Sequence, residues 1–163
     1  MLEMRAEVLI HCSPGVIWEY MNNIEGWWTL SNADHVSLEF GSSEHHLQEG
    51  MQATLQEQFG GIRGESKGVI ARVIPVREVM WQADKAVYSY LLFNIPVKQT
   101  VVWNVEERGG EAVLSMKVLL VFSKTIWGKV SEWYFVHILW GKQLIARHCL
   151  KELLYIKKAV ENF

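Results

Sequence analysis

From Thr125 to Phe163 the chain runs without a proline as one long amphipathic pattern. Ile126, Val130, Trp133, His137, Leu144, His148 and Tyr155 recur at spacings of three, four or seven. Tyr134, Ile138, Ile145, Cys149 and Ile156 form a second row beside them. Such a stripe is the core-facing side of a helix. Lys142, Arg147, Lys151, Glu152, Lys157 and Glu161 fall mostly off it and read as the solvated side. Unbroken from Ile126 to Glu161, the helix would be roughly 54 Å long, whereas a domain of this size is only about 40 Å across. The pattern therefore predicts a break near Gly128 to Ser131, with Ser131 as N-cap of the longer part, or a kink at Gly141.

A helix of this kind needs an apolar surface to cover, and the preceding sequence supplies strands. Met4, Ala6, Val8 and Ile10 alternate with Arg5, Glu7 and Leu9, a half-exposed strand. Ser13-Pro14 then starts a short helix, with Ser13 as N-cap and Pro14 at its first position. A second short helix or turn holds Trp27 and Trp28, and a strand follows with Val36, Leu38 and Phe40 as its apolar phase. Met51, Ala53, Leu55 and Phe59 point inward along the next strand, and Glu57 shares their phase. Either Glu57 reaches water at a twisted strand end, or it is a polar group set inside a pocket with a raised pKa. Two strands meet at Pro75-Val76, and residues 85–96 read as a strand or an irregular apolar lid. Gly109-Gly110 is a two-residue hairpin turn. It places Arg108 opposite Glu111, Val105 opposite Leu114, Trp103 opposite Met116 and Val101 opposite Val118. One face of that hairpin is wholly apolar, and a slip of one residue would destroy the match.

Bulk properties narrow the function classes. Half of the 163 residues are hydrophobic, which fits one domain over 1–163 with one sizeable core. A net charge of −2 with both signs scattered gives no footprint for nucleic acid. Two cysteines are too few for a disulfide framework, and a cytoplasmic setting is expected. MLEMRAEV is no export signal, and no apolar run approaches the ~20 residues that span a bilayer. Eight tryptophans suit a roomy interior lined with flat surfaces. His45 and His46, with Glu44 and Glu49 nearby, are read as a solvated loop, because adjacent histidines in a loop seldom converge on one ion.

The order of elements is strand, two short helices, about six more strands and a long helix. It predicts an α+β fold, a curved antiparallel sheet of about seven strands gripping the terminal helix. At four stretches the chain resembles the START-related helix-grip superfamily: Cys12 to Trp18, Ile74 to Trp81, the Gly109-Gly110 hairpin, and Leu150 to Leu154. The resemblance implies a cavity between sheet and helix that binds a hydrophobic or aromatic small molecule such as a lipid or polyketide. Some relatives so implied catalyse cyclisation or dehydration, and the superfamily has no shared catalytic signature to carry over.

On the predicted phases the cavity lining comprises Met51, Leu55, Glu57, Phe59, Trp81, Tyr88, Trp103, Met116 and Leu120 from the sheet, with Trp133, His137 and Trp140 from the helix. His137 and His148 lie on the apolar stripe. There each would serve as hydrogen-bond donor or acid–base group, or be satisfied by a core carbonyl. No nucleophile elbow, paired cysteine and histidine or metal-ligand spacing is visible, and no cofactor or metal is assigned. Phe135, Val136, Leu139 and Trp140 form a possible homodimer surface.

Overall fold

The computed structural model describes residues 1–41 and 46–162. Its strands are β1 (Leu2–Ile10), β2 (His35–Phe40), β3 (Gln52–Phe59), β4 (Ile62–Ile74), β5 (Glu78–Tyr90), β6 (Phe93–Arg108) and β7 (Glu111–Phe122). They form one curved antiparallel sheet in the order β1-β7-β6-β5-β4-β3-β2. Every strand pairs with its neighbour in sequence except β1, which pairs with β7. Helices α1 (Pro14–Asn22) and α2 (Ile24–Trp28) follow β1, and α3 (Ile126–His137) and α4 (Gly141–Glu161) follow β7. α4 packs along β1 and β7 and sends Ile145, Cys149, Leu153 and Ile156 into the common core. Among the described residues, no helix is long and apolar enough to cross a membrane.

The hairpin register is the one the alternation requires: Arg108 faces Glu111, Trp103 faces Met116 and Val101 faces Val118. Gly109 and Gly110 take φ of 65° and 86°, which the two-residue turn needs. Residues 85–96 are the end of β5 and the start of β6 joined by a turn at Leu91 and Leu92, not a lid. Of the loop histidines, His45 lies outside the described residues with Glu44, and His46 makes an isolated bridge to Asn23.

Strand β2 departs from its expected phase. Leu38 and Phe40 pack on the core, but Val36 is 64% exposed. A β-bulge between His35 and Ser37 adds one residue, which reverses the facing of everything before it. The side chain of His35 is consequently turned inward and only 2% exposed.

The terminal pattern is two helices, and the break falls at residues 138–140, beside the Gly141 alternative and not at Gly128 to Ser131. Thr125, not Ser131, caps α3, accepting from the Gly128 amide, and Trp140 enters α4 in the left-handed region at φ 54°. Because the chain turns there, the stripe of α3 does not continue that of α4. Phe135 and Leu139 are buried, whereas Trp133 is 56% and Trp140 64% exposed, and His137 is exposed. Trp133, His137 and Trp140 therefore do not line the interior. The surface anticipated for self-association is also lost in part, since Phe135 and Leu139 belong to the chain's own core.

Gly141 makes the break possible, because a Cβ there would stand 2.3 Å from the Phe135 ring. Replacing Gly141 by Ala is expected to lower unfolding stability by about 1–3 kcal/mol through overpacking. A shift of the urea midpoint measures it, and an unchanged midpoint would mean that Phe135 has room to move.

Candidate functional site

Between the sheet and α4 the apolar packing closes around polar side chains that hardly touch water. Glu57 reaches this place through the alternation of β3, with Ala53, Leu55 and Phe59 on the same side, and is 5% exposed. Of the two settings open to Glu57, the interior one is the observed one. Gly64 of β4 lies between Glu57 and Tyr88 in the sheet. A Cβ on Gly64 would come within 2.8 Å of Glu57 and 3.0 Å of Tyr88, so the glycine leaves space for the Tyr88 hydroxyl to donate to the Glu57 carboxylate.

α4 contributes His148 and Glu152, one turn apart on the side that carries Ile145, Cys149 and Ile156. Glu152 is 0% exposed, the reverse of its expected place on the solvated side. Its Oε1 accepts from Trp103 Nε1 at 2.7 Å. The bulge in β2 adds His35, whose Nδ1 donates to the Trp28 carbonyl at 2.8 Å. A carbonyl can only accept, so the proton sits on Nδ1 and the lone pair of Nε2 faces inward. His35 Nε2 lies 3.2 Å from His148 Nε2 and 3.7 Å from Glu152 Oε2. His148 Nε2 lies 3.6 Å from Glu57 Oε2 and 4.0 Å from Glu152 Oε2. On the far side of the His148 ring, Nδ1 has Asn32 Nδ2 at 3.1 Å and Asp34 Oδ2 at 3.4 Å. Asn32 also donates to the His148 carbonyl at 3.0 Å, and Lys151 pairs with Asp34 at 3.1 Å.

Burial dominates the electrostatics. Loss of solvation raises Glu57 to about 7 and Glu152 to about 8, against the opposing hydrogen bonds from Tyr88 and Trp103. It also lowers His148 to about 4, with the facing His35 imidazole adding to the effect, and lowers His35. Near pH 7 Glu57 is thus about half protonated and Glu152 mostly so, and both face neutral imidazoles. Glu152 Oε2 and Trp81 Nε1 are fully buried without a hydrogen-bond partner. His35, Glu57 and His148 present ligand-capable atoms within 4.8 Å of one another, the candidate donors for an ion among the described residues.

The enclosed space beside this group is small. Leu55, Glu57, Phe59, Trp81, Tyr88, Trp103 and Met116 line a cavity of about 20 Å³. That overturns the expected roomy interior, since drug-sized ligands occupy about 300–1,000 Å³. The reason is the tryptophans themselves, which pack edge to face instead of lining a void. Trp27 and Trp28 each stand 5.5 Å from Trp103, and Trp28 stands 5.6 Å from Trp81. Met51 and Leu120 are buried in the core but do not border the cavity. A broader, open depression of about 620 Å³ is lined mainly by outward residues such as Gln56, Gln58, Arg63 and Glu65, with Glu57 and Gly64 at its floor. Sequence reasoning passed over His35, Asp34, Asn32 and Glu152. Only the four-residue spacing of His148 and Glu152 signals the site, because that spacing puts both on one helical face.

These shifts couple protonation to folding. The raised carboxyls contribute stability that is complete below about pH 4.5, the ordinary range of the unfolded groups, and is lost as pH climbs through 7 and 8. His148 acts in the opposite sense, complete above about 6.5 and lost as pH falls through 4. In chelator-treated protein the thermal midpoint is expected to fall between about pH 6 and pH 8 and to level off above that, a loss on the order of a few kcal/mol. Glu152→Gln should flatten that slope. An equal slope in the variant would show that Glu152 does not titrate there.

No protein-family model matches the sequence, and no curated protein matches it. Solved structures do match over almost the whole chain. The Zhui aromatase/cyclase from Streptomyces sp. R1128 superposes with a TM-score of 0.67 at 10% identity, covering 99% of this chain and 94% of that one. A START superfamily protein from Mycobacterium smegmatis gives 0.61 at 12% identity, over 98% and 97%. Ara h 8.0201 gives 0.57 at 9% identity, over 99% of both chains. At such low identity the likeness is one of architecture, and by that architecture the chain has the helix-grip fold of the START-related proteins.

Proposed function

We propose that this chain binds a small, largely apolar or aromatic molecule bearing a polar group, in the interior between sheet and α4. The observation that carries this reading is an unpaired donor in an aromatic wall. Trp81 Nε1 is buried without a partner on a cavity that also presents Glu57 and His148. Leaving such a group unpaired costs about 1–3 kcal/mol, so the place favours a molecule able to accept a hydrogen bond from it. Aromatic faces would hold the apolar body, and the polar cluster would orient the head.

A space of about 20 Å³ admits little more than one water, so a larger ligand must displace protein. Phe135 is the plug. It is fully buried beneath α3, with its ring 5.5 Å from Tyr88 and 5.9 Å from Phe122. On the outer side of α3, Ile126 is 80% and Trp127 79% exposed, so little apolar burial there holds α3 against swinging outward. Native mass spectrometry of freshly purified protein is expected to show a retained small molecule. Phe135→Ala should exchange it at least tenfold faster, and should also destabilise the fold by about 3–5 kcal/mol. A bare chain that also fails to bind any member of a lipid and polyketide panel by tryptophan fluorescence would remove this reading.

Catalysis is the second reading, and one observation favours it. Glu57, raised to about 7, lies 3.6 Å from an uncharged imidazole, so a proton could move on or off a bound molecule near neutral pH. Cyclisation or dehydration of a polyketide-like substrate would use such a pair. Under this reading Glu57→Gln abolishes turnover and leaves binding within about threefold.

A further inference from the structure

We propose that His35, Glu57, His148 and Glu152 together form a binding site for one divalent transition-metal ion, with Zn²⁺ the best match to the donors. The site shares residues with the ligand reading above but does not rest on it, since it requires no organic molecule.

Geometry comes first. Two imidazole nitrogens and carboxylate oxygens, drawn from β2, β3 and α4, converge on one enclosed point. Four of the six separations among these donor atoms are 3.2, 3.6, 3.7 and 4.0 Å. Tetrahedral Zn²⁺ with bonds of 2.0–2.1 Å places neighbouring donors about 3.3 Å apart. Small rotations would therefore bring these atoms onto one ion. Three of the four residues already stand within 4.8 Å of one another at their ligand atoms.

The surroundings are those a metal site needs. A ligating histidine generally donates its other ring N–H to a carbonyl or carboxylate, which fixes the tautomer that points a lone pair at the ion. His35 does this through Nδ1 to the Trp28 carbonyl at 2.8 Å. At His148 the nearer neighbour of Nδ1 is the Asn32 amide, a donor at 3.1 Å, with the Asp34 carboxylate at 3.4 Å; an ion on Nε2 would put the proton on Nδ1 and direct it to Asp34, which Lys151 holds. Each carboxylate is likewise steadied by one donor, Glu152 by Trp103 and Glu57 by Tyr88.

An independent observation points to a missing occupant. Glu152 is 0% exposed, one oxygen is satisfied by Trp103, and the other has no partner while facing both histidines. Buried carboxylates are ordinarily paired or bound to a cation. The described residues offer no lysine or arginine at this point, whereas a divalent ion would balance both glutamates and give Oε2 its partner. Mixed nitrogen and oxygen donors without thiolate suit Zn²⁺ and its first-row neighbours, and do not suit Ca²⁺, which takes six to eight oxygens.

The test uses the full chain, stripped with EDTA and desalted. Addition of ZnCl2 should saturate at one ion per chain by isothermal titration and elemental analysis. It should also raise the thermal midpoint in a concentration-dependent way. Co²⁺ in its place should give the intense visible absorption of a tetrahedral ion with nitrogen and oxygen donors. Glu152→Gln keeps the shape of the side chain and its bond to Trp103, and is expected to weaken binding at least tenfold. His137→Ala, which removes an exposed histidine, should leave it unchanged. Stoichiometric Zn²⁺ uptake with the tetrahedral Co²⁺ spectrum would uphold the site even if no organic ligand is ever retained. Absence of uptake, or affinity unaltered by Glu152→Gln, would overturn it and leave the ligand reading standing.

Discussion

A carboxyl group with no exposure to water, Glu152, sits where helix and sheet meet, and the rest of the structure is arranged around making that tolerable. Its hydrogen bond from Trp103 crosses from β6 to α4 and ties the centre of the sheet to the covering helix. Apolar packing alone would let α4 slide along the sheet with little loss, because leucine and isoleucine fit many positions. A buried polar contact permits only one, since any other placement strands both partners. That bond, together with the one from Asn32 to the His148 carbonyl, fixes the depth at which α4 lies and with it the position of His148.

The same economy explains why the interior is nearly full. A concave sheet and one helix leave a volume that side chains must occupy, and four tryptophans do so by meeting edge to face. Flat rings packed in this way fill space as densely as aliphatic residues while keeping their N–H groups available for polar partners. Trp103 and Trp27 use theirs, on Glu152 and on the Met21 carbonyl, and Trp81 does not. The site is thus a polar island bounded by indoles.

Much of this was legible in the residues. The Gly109-Gly110 hairpin, the phase of β3 and the order of the elements follow from alternation and turn chemistry, which act locally. The terminal stripe misled at α3 for a physical reason. Helical periodicity assigns a face only while the helix is continuous, and the turn at residues 138–140 resets the face, so that Phe135 goes in and Trp133 out. Glu152 was assigned to solvent because charged residues usually are; only its partner on β6, distant in sequence, reverses that. Glu57 could be placed on the inner phase but not given neighbours, because those neighbours come from β2 and α4.

The bulge in β2 has a consequence for how such a site could come and go. β2 is an edge strand with one partner, the place in a sheet where an added or lost residue disturbs least. Were the bulge lost and its extra residue passed to the preceding loop, strict alternation would bring Val36 inside and turn His35 to the solvent, with the sheet otherwise intact. Two homologous chains of the same shape could then differ in whether they possess an imidazole pair at all, through a change in loop length too small to register in the fold.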